Sequence, residues 1–199
     1  MKKYELTAET IIKNGRTLFR IKALISFGGV AKDEKGGFIE KEANLSHKND
    51  AWVYGDAEVY GNARVSGNAW VSGNARVSGN AEVSGNARVS GNARVSGNAR
   101  VSGNAWVSGN ARVSGNARVS GNARVSGNAR VSKKAITIDG ACQFHITVCD
   151  TTIQIGCHCH TVAEWENIKL SDAYADECAS NAAYKKCIMA YEFAKTLIE

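Results

Sequence analysis

From Ala51 to Lys134 apolar and polar residues recur in steps of six, fourteen times without an insertion. Each step reads Ala, a variable residue, Val, Ser or Tyr, Gly or Lys, and finally Asn, Asp or Lys. Ala and Val lie two positions apart, so in an extended segment both side chains point to one face and the residue between them points away. Gly-Asn then supplies a corner, because both residues tolerate positive φ. Three extended residues followed by three turning ones make neither a flat sheet nor a helix. The pattern predicts a prism of very short strands, stacked coil upon coil around a thin Val/Ala core that needs a cap at each end. The frame extends upstream, where Gly37-Phe38-Ile39 and Ala43-Asn44-Leu45 fit an inward-outward-inward pattern. Serines and asparagines stacked at the corners are expected to form hydrogen-bonded ladders.

The flanks read differently. Asn14-Gly15 between β-rich runs predicts a hairpin with a tight turn, a small β cap over the first coil. After Ser132 the hexad dissolves, and Ile136, Ile138, Phe144, Ile146, Val148, Ile153 and Ile155 alternate with polar or small neighbours, predicting two or three conventional strands. Thr161-Val-Ala-Glu164 has the form of a capping box and should open a short helix carrying Trp165. From Ser171 onward, Tyr184, Cys187, Ile188, Tyr191, Ala194 and Ile198 recur at helical spacing, predicting an amphipathic helix with one buried face. Cys178 and Cys187 are then core thiols.

V-S-G-N-A-R resembles the hexapeptide repeat of left-handed parallel β-helices. The resemblance implies the handedness and three hexads per triangular coil, hence a stack roughly 22 Å long at one strand spacing per coil. The expected fold is mainly β: a left-handed parallel β-helix over 37–134, an N-terminal β-hairpin cap over 1–36, and a C-terminal α+β cap over 135–199 that ends in the helix. The segments NGRTLFRIKAL, GGFIEKEANLSHKNDAWVYGDAEVYGNARV and IQIGCHCHTVAEW resemble a family of phage and prophage hexapeptide-repeat proteins. This implies phage origin and residence in a bacterial host cytoplasm, without a settled biochemical function.

Composition narrows the setting. The 199 residues contain no proline, which suits a chain that uses nearly every backbone N–H in ladders. No apolar run reaches membrane-spanning length, and no apolar stretch follows Lys2 and Lys3, so neither a span nor a secretory signal is expected. All six cysteines fall in the last 58 residues, and in a cytosolic protein they read as buried thiols or metal ligands rather than disulfides. The net charge of +6 is uneven: residues 51–134 carry eleven Lys/Arg against three Asp/Glu, and residues 135–199 carry four against nine. A basic middle with an acidic tail points to an electrostatic partner surface or a contact between copies.

The variable positions hold the candidate chemistry. With three hexads per coil, one face carries Trp52, Trp70, Arg88, Trp106 and Arg124, a second Glu58, Arg76, Arg94, Arg112 and Arg130, and a third Arg64, Glu82, Arg100 and Arg118. Exposed tryptophan in a flat patch is costly unless covered, so the first face is the expected site for a protein partner, a host protein or another copy of the chain. Arg76, Arg94, Arg112 and Arg130 form an expected anion site for a polyanion such as nucleic acid, or for a phosphorylated ligand. Otherwise they are a solubilising surface. Cys142, His145, Cys157 and His160 are the one set that could hold zinc, and no other cofactor is expected. In an extended strand, however, Cys157 and Cys159 face away from His158 and His160. Cys157 with His160 is also the thiol and base of a catalytic alternative. Another alternative is an acyltransferase with His47 as base, since many hexapeptide-repeat proteins are acyltransferases, but the coils have no histidine and no long loop. The expected function is a non-enzymatic phage-derived scaffold that presents Arg and Trp rows to a macromolecular partner, inhibiting a host factor.

Overall fold

The computed structural model describes residues 2–133, 135–138, 144–156, 158–167 and 181–198. Its body is a parallel β-solenoid of about five turns. Fourteen two-residue strands, β4 (Trp52–Val53) through β17 (Arg130–Val131), each supply one side of a coil. Register partners lie eighteen residues apart, as in Arg94 with Arg112 and Val95 with Val113, so three hexads make one coil. The alanine and valine of every hexad point inward and are at most 1% exposed. The backbone supports the stack three times per hexad. In one hexad, Arg94 N–H donates to Ala111 (2.9 Å), Ser96 N–H to Val113 (2.9 Å) and Asn98 N–H to Gly115 (2.8 Å). Within the hexads only glycine takes positive φ, which corrects the expectation that asparagine shares that duty. The asparagines instead build a ladder, each Nδ2 donating to the Oδ1 eighteen residues on, as from Asn80 to Asn98 (2.9 Å).

Strands β1 (Tyr4–Lys13) and β2 (Arg16–Ala23) form the expected hairpin, with Asn14 and Gly15 at φ of 49° and 72°. β2 pairs with β3 (Lys35–Ile39), which pairs in parallel with the first-coil strand β5 (Glu58–Val59). One sheet of eight strands thus runs from β1 to β17, and two of the solenoid's faces form sheets of five and four. The hairpin also folds over the end of the stack. Lys3 Nζ donates to the carbonyls of Asn49 (3.0 Å) and Ala51 (2.8 Å), and the Tyr4 hydroxyl donates to Leu45 (2.8 Å). These are carbonyls that a terminal coil leaves without a strand to receive them.

The inward-outward-inward reading fails at Ala43-Asn44-Leu45. Residues Glu42–Asn44 form a 3₁₀ turn, Ala43 is exposed, and Asn44 is fully buried. Its Nδ2 donates to Gly61 (3.1 Å) and Ala63 (2.8 Å), so a polar side chain does at the rim what backbone pairing does within the stack.

At the other end β18 (Ile136–Ile138), β19 (Ile146–Val148), β20 (Thr152–Ile155) and β21 (His158–Thr161) form an antiparallel sheet, one strand more than predicted. Its polar side meets the last coil: Thr147 Oγ1 accepts from Arg124 N–H (3.1 Å), and Ser126 Oγ donates to Gln154 (3.0 Å). Its apolar side, with Ile146, Val148, Ile153 and Ile155, packs against Trp165 and the helix α1 (Asn181–Lys195). The Thr161–Glu164 capping box forms as expected ahead of helical residues 162–167, and Trp165 Nε1 donates to Ile153 (2.8 Å). Cys178 and the start of the expected helix lie outside the described residues. Among those residues, no helix is long and apolar enough to cross a membrane.

Candidate functional site

The three faces carry the rows that three hexads per coil imply, and each row meets its charges differently. On the first, Trp52, Trp70, Arg88, Trp106 and Arg124 are in register. Trp52 does not belong to any partner surface, which corrects the expectation for it. It is fully buried, edge-on to Phe27 (5.3 Å) and Tyr4 (6.1 Å), because the N-terminal hairpin covers the first coil. The remaining members cover one another. The Arg88 guanidinium lies 5.1 Å from the Trp70 ring and 5.2 Å from that of Trp106, and Arg124 lies 5.4 Å from Trp106 on its other side. Tyr54 closes on Trp70 edge-on at 5.5 Å. Strand spacing brings planar cation and ring into stacking range, and each such contact at an exposed site contributes about 0.5–1 kcal/mol. Tryptophan in this row therefore has a structural reason, since rings and guanidiniums in adjacent coils cover one another and need no partner protein to do so.

On the third face Glu82 pairs with Arg100 at 3.5 Å. The second face begins with Glu58, 7% exposed, held between Lys13 (3.0 Å) and Arg76 (3.3 Å). Beyond that ion pair come Arg94, Arg112 and Arg130, exposed and consecutive in register. Among the described residues these three have neither a carboxylate nor a ring partner. A groove of about 540 Å³ runs along this row, lined entirely by Arg76, Arg94, Arg112, Arg130 and the asparagine two residues before each.

Only half of the expected zinc set, His145 and His160, falls among the described residues. Cys142 and Cys157 lie outside the described residues, which also leaves the Cys157–His160 pair without a described thiol. His160 packs edge-on against Trp165 at 4.8 Å, on the helix side of β21. Cys159, paired with Gln154, faces the solenoid end, as strand alternation predicts. The carbonyl of His145 accepts from Gly156 N–H (3.0 Å). No group of three or more His, Cys, Asp or Glu that could hold a metal occurs among the described residues. Burial pushes the Cys149 thiol up to about 12, with Cys159 adding to it, and burial raises the Cys159 thiol as well. Both stay protonated at neutral pH, which suits packing better than nucleophilic chemistry.

His47, the candidate acyltransferase base, sits in the N-terminal cap. Its Nδ1 accepts from Lys3 N–H (3.2 Å) and its ring stacks on Tyr4 at 4.3 Å. Burial lowers its pKa, opposed by Glu42. A histidine tied to a cap in this way is not one projecting over a substrate.

Residues 34–149 match a family model described as "Bactofilin: Polymer-forming cytoskeletal". The chain belongs to the bactofilin family. The match begins just before β3 and ends in the turn after β19, so it covers the whole bactofilin solenoid and leaves the hairpin and α1 outside. Comparison with curated proteins gives no match. The bactofilin assignment supports a β-helical, polymer-forming scaffold, and it brings no sign of the phage or prophage origin that the sequence resemblance implied.

Proposed function

We propose that this bactofilin is a non-enzymatic, self-assembling scaffold of the bacterial cytoplasm: a rigid rod whose copies join through their capped ends. One observation carries the reading, the family match across a solenoid whose inner positions are filled by Val and Ala alone from Ala51 to Val131. Such a body resists bending, because each coil is hydrogen-bonded to the next on all three sides.

Both terminal coils are already hydrogen-bonded by the chain's own caps, so a second copy meets cap surfaces rather than bare coils. β1 is the outermost strand of the eight-stranded sheet, and its outer edge has no strand opposite it among the described residues. Its Ile12 is 80% exposed. A free edge with an exposed apolar side chain is a template for strand pairing between chains. Along the rod, Trp106 at 42% exposure is where a protein partner would anchor. The phage-derived inhibitor of a host factor has no residue of this chain behind it.

Electron microscopy and sedimentation of the purified protein test the proposal. Rods or filaments many molecules long are expected at physiological salt. A species that stays monomeric at every concentration would overturn it.

A further inference from the structure

The three faces of the solenoid differ in how their cations are satisfied, and that difference points to a ligand. On the tryptophan row the guanidiniums of Arg88 and Arg124 are stacked on rings. On the third row Glu82 holds Arg100 and separates Arg64 from Arg100 and Arg118, so no three arginines stand bare in succession there. Only on the Arg76 row do three consecutive arginines, Arg94, Arg112 and Arg130, stand exposed without an acidic or aromatic partner among the described residues. Neighbouring guanidiniums one strand spacing apart repel by somewhat under ~1 kcal/mol each in water. The row therefore sits in unrelieved repulsion that an anion would relieve.

The groove floor is suited to the same ligand. The ladder from Asn74 to Asn92 (3.4 Å), Asn92 to Asn110 (3.2 Å) and Asn110 to Asn128 (3.3 Å) engages all four carboxamides and fixes which way they point. Asn74, Asn92 and Asn110 each donate one amide hydrogen along the ladder and have a second to offer beside the guanidiniums. No carboxylate lines the groove. It is also long and open rather than closed: four rungs span about 14 Å, which fits a linear chain of charges and not a compact metabolite. At roughly 3.4 Å per phosphate along a helical strand about four phosphates cover that length, and fewer when the strand is extended.

We propose that this groove is a binding site for the phosphodiester backbone of single-stranded nucleic acid, recognised by charge and spacing and not by base. The arginine fork matches phosphate oxygens two at a time, whereas no exposed ring in the groove offers a base a stacking surface. The site lies on the side of the rod and does not depend on self-assembly.

The test is fluorescence anisotropy of a short labelled oligothymidylate with the full-length protein. With three neutralised phosphates, affinity falls roughly twentyfold between about 50 and 200 mM salt. In the double variant Arg94→Gln, Arg112→Gln, binding is weaker and the same salt change costs only about threefold. The variant Arg64→Gln, Arg118→Gln removes equal charge from another face and leaves binding and slope nearly unchanged. If it weakens binding as much as the first pair, net charge alone binds the oligonucleotide and the proposal fails. Displacement by inorganic polyphosphate supports backbone recognition. Equal displacement by polyglutamate at matched charge, or preference for anionic vesicles over the oligonucleotide, overturns it. Filament formation, read separately by microscopy, reports on assembly and leaves this result intact.

Discussion

At Gly97 the backbone turns with φ of +68°, and a Cβ built there would lie 2.9 Å from both the N and the O of Gly115 in the next coil. Gly97→Ala therefore meets a strained backbone and a steric clash together, and should cost at least about 1–2 kcal/mol, read as a lower melting temperature. Val95 is as constrained from the inside. Val95→Asp buries an unpaired charge in a core two side chains deep and should cost about 4 kcal/mol or more, leaving the protein unfolded or insoluble. Lys3 carries a different cost. Burial lowers its pKa to about 8 from the ordinary 10.5, with Asp50 opposing the shift. Between those values the folded chain holds fewer protons than the unfolded one, so this residue makes stability rise with pH. Below about 8 the cost of the buried charge is fully present. Urea midpoints measured across that window should climb in the wild type relative to Lys3→Met, and parallel curves for the two proteins would contradict the assignment.

At the scale of elements, the ends of the stack are where polar side chains replace backbone partners. Asn44 closes the first coil, so Asn44→Leu leaves the carbonyls of Gly61 and Ala63 short of a donor and should cost about 1–3 kcal/mol. At the far end Thr147 Oγ1 accepts the backbone N–H of Arg124 and Gln154 accepts from the Ser126 hydroxyl, while the opposite side of their strands forms a second apolar core. The Trp70–Arg88–Trp106–Arg124 row is an element in its own right. Trp106→Ala removes two cation–π contacts and should lower stability by about 1–2 kcal/mol, measured by thermal or urea unfolding. An unchanged stability together with a lost protein interaction would instead mark Trp106 as a partner anchor.

For the whole molecule, a polymer of capped rods makes a demand that no single coil does. On the proposed end-to-end reading the contact forms on β1 or the C-terminal cap, since the caps cover the terminal coils of the stack. Ile12→Glu places a charge on the free edge without touching the core, because Ile12 is 80% exposed. Filaments seen by microscopy should shorten or vanish while the melting temperature stays close to that of the wild type. Filaments of unchanged length would move the contact away from β1.

The repeat could be read directly because its information is local. Alternation of Ala and Val sets the inner face and glycine sets the corner, while the three hexads per coil that align Arg76, Arg94, Arg112 and Arg130 follow from the resemblance to hexapeptide-repeat β-helices and not from the period of six alone. The Asn14-Gly15 turn and the Thr161–Glu164 capping box were equally legible, since each is made by residues within a few positions of one another. What a row does with its charges was not local. Whether Trp52 faces solvent or lies buried depends on a hairpin contributed from forty-eight residues earlier, by Tyr4. Asn44 turns inward because a terminal coil presents carbonyls with no strand to receive them, a shortage that no pattern of polar and apolar residues records. The pairing of Glu58 with Lys13, the stacking of arginine on tryptophan and the bare run of Arg94, Arg112 and Arg130 were likewise decided in space. Periodicity determines which side chains point inward and which outward, and only the packed chain determines which of them are left without a partner.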